Sequence, residues 1–277
     1  YSVFGFNDHR ITFLYPLVYL AIIIMCWKSL RALHIHPHIA IACTYVYSML
    51  SPLLAQGGRT HAGNADIVLV LLYWIVIYVV LKHQITNAVL TLLVFLVMCA
   101  SQIKSEGVLL VSLFAFLQLT HKKRFIAIVL SLIPAVLWNL YTKQHNFASD
   151  IFYGPVTIQE FLLRTGSVIY GYLVELVNYR NWYIFWIVSI LLMFVSVELH
   201  EKTKKVFLPT ACVMLVAMMV SYVFAHFART DIHILRYVSS SADRVLFQLS
   251  PFVFVYFAET LSSVLRPYFS WPKVSKH

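Results

Sequence analysis

Polar and apolar positions along this chain do not alternate residue by residue. They fall into continuous apolar runs separated by short polar joints. The runs cover 12–27, 39–54, 65–81, 87–103, 107–120, 125–141, 182–199, 206–227 and 244–264. Most are long enough, or nearly so, to cross a hydrocarbon layer roughly 30 Å thick as a helix, and a helix satisfies its own backbone polar groups in lipid. A membrane β-barrel needs short strands of alternating polarity, which these runs lack. The pattern therefore predicts an all-α, polytopic transmembrane bundle of about nine spans, forming one domain over 1–277. The shorter runs are expected to be shielded by neighbours or to sit in thinned bilayer.

One segment differs in period. Across 155–177, Thr157 and Glu160 have capping-box spacing just after Pro155. Ile158, Phe161, Leu162, Thr165, Val168, Ile169, Tyr172, Leu173 and Leu176 then recur at helical spacing among polar residues. This predicts an amphipathic helix lying on the membrane interface. A tenth, tilted span over the same residues is the alternative, and it would reverse the sidedness of everything downstream.

Composition agrees with a membrane protein: 61% of the 277 residues are hydrophobic, 12% are charged, and mean hydropathy is +0.79. The net charge of +10 raises the question of nucleic acid, but the basic residues flank apolar segments. Topology and anionic lipid explain them, and no nucleic-acid partner is expected. Cys26, Cys43, Cys99 and Cys212 all fall inside apolar runs and read as small buried side chains. The chain opens at Tyr1 on a polar stretch, and a further membrane span is expected upstream.

Alternating the joints across the membrane sorts the charges. One side receives Lys28, Arg31, Lys82, Lys122, Lys123, Arg124, Lys202, Lys204, Lys205, Arg266, Lys273 and Lys276. The other receives Arg10, Arg59, Lys104, Lys143, Arg164, Arg180, Arg229, Arg236 and Arg244. The first side has the shorter joints and more cations, so it is expected to be cytoplasmic. Asp8, Asp66, Glu106, Asp150, Glu160, Glu175, Asp231 and Asp243 lie on or near the outer side; only Glu198, Glu201 and Glu259 lie inward. Acidic residues contribute little to topology, so this bias has two readings. One is a polar reaction chamber on the outer face, and the other is long solvated loops that collect charge.

Three outer stretches could carry chemistry. In Arg59-Thr60-His61-Ala62-Gly63-Asn64-Ala65-Asp66, Arg59 and His61 could hold an anion while Asp66 opens a span; the alternative is a capping or ion-pairing aspartate. In Lys104-Ser105-Glu106-Gly107, a cation and a carboxylate are forced to one membrane depth, for a turn salt bridge or for presentation to a phosphate. The stretch from Arg229 to Arg244 holds three arginines with Asp231 and Asp243. Arginine's planar fork suits phosphate, and Arg244, at the start of the last run, is the leading phosphate ligand. Upstream, Asp8 lies between Asn7 and His9-Arg10 and could act as a base or be an ordinary polar flank. His34, His36 and His38 alternate in an inner joint interrupted by Pro37 without a supporting carboxylate, so they read as interfacial histidines.

Taken together, Tyr15-Pro16-Leu17, Gly63-Asn64-Ala65-Asp66, Lys104-Ser105-Glu106-Gly107 and Ser241-Ala242-Asp243-Arg244 with Pro251 resemble the GT-C class of integral-membrane glycosyltransferases. More narrowly, they resemble its bacterial protein-mannosyltransferase-like members, which use a polyprenyl-phosphate sugar. The resemblance implies a lipid-linked donor reaching the site from the bilayer and a glycan, lipid or protein acceptor arriving from outside the bacterial inner membrane. It implies an inverting transfer, with Asp8 or Asp66 in the catalytic role and Arg59, Lys104, Arg236 and Arg244 on the donor phosphate. His61, Asn64, Glu106 and Asp243 would support them. Whether a divalent metal takes part stays open. The expected alternative is a multi-span transporter or flippase of a lipid-linked or anionic substrate.

Overall fold

The computed structural model describes residues 14–59, 65–145, 151–195, 197–227, 234–239 and 241–268. The chain folds into helices α1 (Leu14–Ala32), α2 (Pro37–Ser48), α3 (Ser51–Leu54), α4 (Ala65–Lys82), α5 (Asn87–Ile103), α6 (Leu113–Phe116) and α7 (His121–Gln144). After a short strand β1 (Ile151–Tyr153) come α8 (Ile158–Leu176), α9 (Tyr179–Trp182), α10 (Phe185–Leu192) and α11 (Leu208–Phe224). Strand β2 (Ala225–Phe227), α12 (Ile234–Ser239) and α13 (Ala242–Leu265) complete it. A 3₁₀ segment, Ser105–Ser112, precedes α6, and a π-helical turn, Thr203–Phe207, leads into α11.

Five of the nine predicted runs become helices long and apolar enough to cross a membrane: α1, α4, α7, Thr203–Phe224 and α13. The run at 39–54 is a bent pair, Pro37–Ser48 and Ser51–Gly57, meeting at 67°. Pro52 lies in the first turn of the second piece, where its missing N–H interrupts the ladder. The remaining three runs give shorter elements. The run at 87–103 forms the 17-residue α5, and 107–120 divides between the 3₁₀ segment and α6. The run at 182–199 gives only the eight-residue α10, which starts after Tyr183 takes a positive φ of 51° and ends at Leu192. Apolar length alone does not register such breaks.

Helix α13 is the centre of the bundle. Some 89% of its apolar window is buried, against 11% for the peripheral α7, which turns Phe125, Leu137 and Trp138 outward as a lipid-facing helix does. Around α13 the core is aromatic: Phe254 meets Tyr47, Trp74 and Phe185, while Phe252 meets Tyr73 and Phe207. Within this core Tyr47 Oη and Ser250 Oγ form a hydrogen bond at 2.9 Å. Cys26 and Cys43 are buried as expected, whereas Cys212 is exposed on the outside of α11 and Cys99 is partly so.

The predicted amphipathic helix is α8, and both halves of its capping box form. Thr157 Oγ1 accepts from the Glu160 N–H, and the Glu160 carboxylate accepts from the Thr157 N–H. Its buried side carries Val168, Gly171, Tyr172 and Glu175. A Cβ at Gly171 would stand 2.7 Å from Val238 Cγ1, so glycine allows α12 to approach α8. Arg164 Nη1 donates to the carbonyls of Val223 and Ala225 at 3.3 and 2.8 Å, setting a cation on the C-terminal end of α11. An antiparallel ribbon the sequence pattern did not predict, β1 with β2, pairs Tyr153 with Ala225 and Ile151 with Phe227.

The Glu160 carboxyl is held below its ordinary value, first by the Thr157 backbone N–H and then by the Thr157 hydroxyl. A depressed folded-state value means that the cap contributes fully above the ordinary glutamate range and is lost as pH falls through the depressed value. Protection of the first-turn amides of α8, taken relative to the intrinsic exchange rate at each pH, should therefore fall on acidification, and Glu160→Gln should weaken that response. Protection that is flat with pH in the parent chain would contradict the assignment.

Candidate functional site

Asp66 is the second residue of α4, where the exposed N–H groups of a helix start favour an anion. Its side chain is nonetheless fully buried. A lone carboxylate there would be costly, so its partners define the site. Lys104 Nζ donates to Oδ1 at 2.6 Å, and Gln248 Nε2 donates to the same oxygen at 2.5 Å. Arg244 Nε donates to Oδ2 at 2.8 Å. Two distant stretches of chain, the end of α5 and the first two turns of α13, thus converge on one carboxylate.

Each partner is placed by local backbone. Lys104 ends α5 in an extended conformation (φ −158°, ψ 147°), which ends the helix and directs the chain into the 3₁₀ segment. Gly107 closes this turn with its N–H on the Lys104 carbonyl at 2.9 Å. A Cβ on Gly107 would fall 2.1 Å from the Ala100 carbonyl oxygen, so the turn admits no side chain there. Within the turn, Lys104 Nζ also meets Glu106 Oε1 at 3.3 Å, and Ser105 Oγ donates to Glu106 Oε2 at 3.0 Å. Arg244 lies in the first turn of α13, where its N–H donates to Asp243 Oδ1 at 2.8 Å. Gln248 lies one turn further along the same helix face.

Exposure separates the roles these groups can take. Asp66 is at 0% and both its oxygens are engaged, while side-chain exposure is 18% for Lys104, 28% for Glu106 and 41% for Arg244. Asp66 is therefore the organiser, whereas Lys104, Glu106 and Arg244 face outward. Arg244 spends Nε on Asp66, and among the described residues its two terminal nitrogens make no hydrogen bond or ion pair. Four tyrosines, Tyr73, Tyr172, Tyr222 and Tyr237, lie within electrostatic reach of Glu106. Tyr222 stands 6.3 Å from Tyr172 and 5.4 Å from Tyr237, ring centre to ring centre. Burial lifts the Tyr237 phenol above its ordinary value.

Of the residues singled out in the sequence, Asp66, Lys104, Glu106 and Arg244 come together, and Asp243 adjoins them through the Arg244 backbone. Arg236 lies exposed on α12 and makes no ion pair among the described residues. Arg59 closes the π-helical turn Ala55–Arg59. Asp8, His61 and Asn64 lie outside the described residues. Among the described residues no three His, Cys, Asp or Glu side chains gather as metal ligands. Two contributors escaped the sequence reading. Gln248 had a usable signal, a polar side chain one helical turn beyond Arg244 inside an apolar run. The tyrosine group had none, since its members come from α4, α8, α11 and α12.

Glu175 is a second buried carboxylate, at the C-terminal end of α8. Asn178 Nδ2, Asn181 Nδ2 and Trp182 Nε1 donate to it at 3.0, 2.6 and 2.9 Å. It ties α8 to α9 through neutral donors, in contrast to Asp66, which is held by two cations. Comparison with known protein families, with curated proteins and with solved structures gives no match.

The Lys104–Gly107 turn can be tested directly. Gly107→Ala is expected to destabilise the protein by at least about 2 kcal/mol, since the forced shift falls on backbone rather than on a flexible side chain. Thermal unfolding in detergent reads this, and an unchanged melting temperature would show that the turn adapts.

Proposed function

We propose that this chain is a membrane glycosyltransferase that moves a sugar from a polyprenyl-phosphate donor to an acceptor hydroxyl on the outer face of a bacterial inner membrane. The observation that carries the reading is the buried Asp66 carboxylate straddled by two outward-facing cations, Lys104 and Arg244, at one end of the bundle. A phosphate leaving group needs preorganised cationic donors where its charge develops. Arg244 supplies them through its free guanidinium edge, and Lys104 through a head group already fixed between two carboxylates. Asp66 holds both cations in place before the donor arrives, so little reorganisation remains for the reaction. Arg236, exposed on α12, would add positive charge, and Arg59 keeps its candidacy from the sequence. The sugar and its lipid come from the sequence resemblance; the ion-pair geometry supports the phosphate-binding part of it.

In this scheme the acceptor oxygen attacks the anomeric carbon as the bond from that carbon to the phosphate oxygen breaks. The lipid phosphate departs with the electron pair, and the acceptor's proton passes to a carboxylate. Among the described carboxylates, Glu106 is the better candidate for that proton, because it is partly exposed while Asp66 is fully buried. Asp8 keeps its candidacy from the sequence. A single displacement inverts the anomeric centre and needs no covalent nucleophile.

One observation favours a second reading. The bent pair at Pro37–Ser48 and Ser51–Gly57 is a broken helix of the kind that transporters build around their substrates. A transporter or flippase would move a labelled lipid phosphate across sealed vesicles and leave the glycosidic bond intact.

Arg244→Ala should reduce transfer from a polyprenyl-phosphate sugar by about 100-fold or more while the protein remains membrane-inserted. Product formation by the purified chain reads the effect. Parental turnover by Arg244→Ala would remove Arg244 from the site.

A further inference from the structure

The two helices that deliver Asp66 and Arg244 are also joined at their other ends. Helix α4 ends at Lys82, and Lys202 Nζ donates to the Val80 carbonyl at 2.5 Å, with Leu81 and His83 carbonyls each at 3.4 Å. Glu259, buried near the inner end of α13, accepts the backbone N–H of His200. Residues 200–202 thus grip both helices within three positions. Each contact has a physical cause. A cation suits the unsatisfied carbonyls that end a helix. A carboxylate suits the free N–H groups that begin one, and the helical turns leading into α11 begin just after His200. Within the clasp, His200 Nδ1 accepts the Lys202 N–H at 3.2 Å. Burial lowers the pKa of Lys202, which marks a cation drawn partly out of water to make these bonds.

Between the two ends, α4 and α13 meet through rings and aliphatic groups such as Tyr73 against Phe252. Apolar packing is non-directional. It chooses which faces meet more firmly than it fixes how far one helix is displaced along the other. Directional bonds between these helices sit at the outer site and at the 200–202 clasp, roughly 25 Å apart along an α4 of 18 residues. Lys202, His200 and Glu259 touch none of the outer groups.

We propose that Lys202 and Glu259 are positioning residues, whose clasp fixes the axial register of α4 against α13 and thereby aligns Asp66 with Lys104 and Arg244 across the membrane. Loosening it lets the helices slip, the Asp66 bonds part, and water enters beside Arg244. Only the effect on sugar transfer rests on the function proposed above; the register itself rests on the contacts.

The test uses the full chain with Cys26, Cys43, Cys99 and Cys212 replaced by alanine, in membrane vesicles whose outer face is accessible. Val245→Cys reports on the outer end of α13, where Val245 is buried beside Arg244. Val97→Cys, fully buried in α5, reports on the fold as a whole. With the clasp intact, a membrane-impermeant maleimide should label neither. Lys202→Met and Glu259→Leu should each raise labelling at Val245→Cys about tenfold and leave Val97→Cys protected. Lys202→Arg, which keeps the cation, should restore protection. Equal protection of Val245→Cys in both clasp variants would overturn the proposal. So would loss of protection at Val97→Cys in every clasp variant, which would make the contacts general supports of the fold. Absence of sugar transfer by the parent chain would remove the enzyme reading and leave the labelling result standing.

Discussion

A carboxylate with no access to water must find compensation within the protein, and one end of this bundle is organised around that requirement. Asp66 is at 0% exposure and takes two cations and an amide. None of its partners is near it in sequence. Meeting its need fixes where α5 must end, how the Lys104–Gly107 turn must close and which face α13 must present. A buried ion pair adds little net stability once desolvation is counted, but removing one partner leaves a stranded charge. Such a cluster therefore specifies an arrangement more than it strengthens one.

That arrangement also makes the site asymmetric. The anion is interior and saturated, while the cations are peripheral and keep donors to spare. Under the proposed function, an arriving phosphate would meet groups already oriented by Asp66. Glu106 sits on the same turn as Lys104, so the carboxylate and the ammonium group move as one unit. Gly107 makes this possible, because its backbone packs against the Ala100 carbonyl where any Cβ would collide.

How much of this was legible in the sequence depends on the range of the interaction. The apolar runs marked the long helices because hydrocarbon length is a local property of the chain. The α8 capping box was legible for the same reason, with Thr157 and Glu160 three positions apart. The convergence of Asp66, Lys104, Glu106 and Arg244 was partly visible as charged residues at span ends on one side. Gln248 and the four tyrosines were not, since their meeting depends on how α4, α8, α11, α12 and α13 pack. The division of the 182–199 run at Tyr183, and the β1–β2 ribbon, likewise follow from backbone geometry that hydropathy does not encode.

The claim that Asp66 is the shared anchor of this end of the molecule can be measured without any substrate. Asp66→Asn, Arg244→Gln and the double variant would be compared by thermal unfolding in detergent. If the two side chains share one buried bond, each single change strands its partner, and the double variant is more stable than the summed losses by about 1 kcal/mol or more. Strictly additive losses would mean that Asp66 and Arg244 do not interact, and the site built on them would not exist.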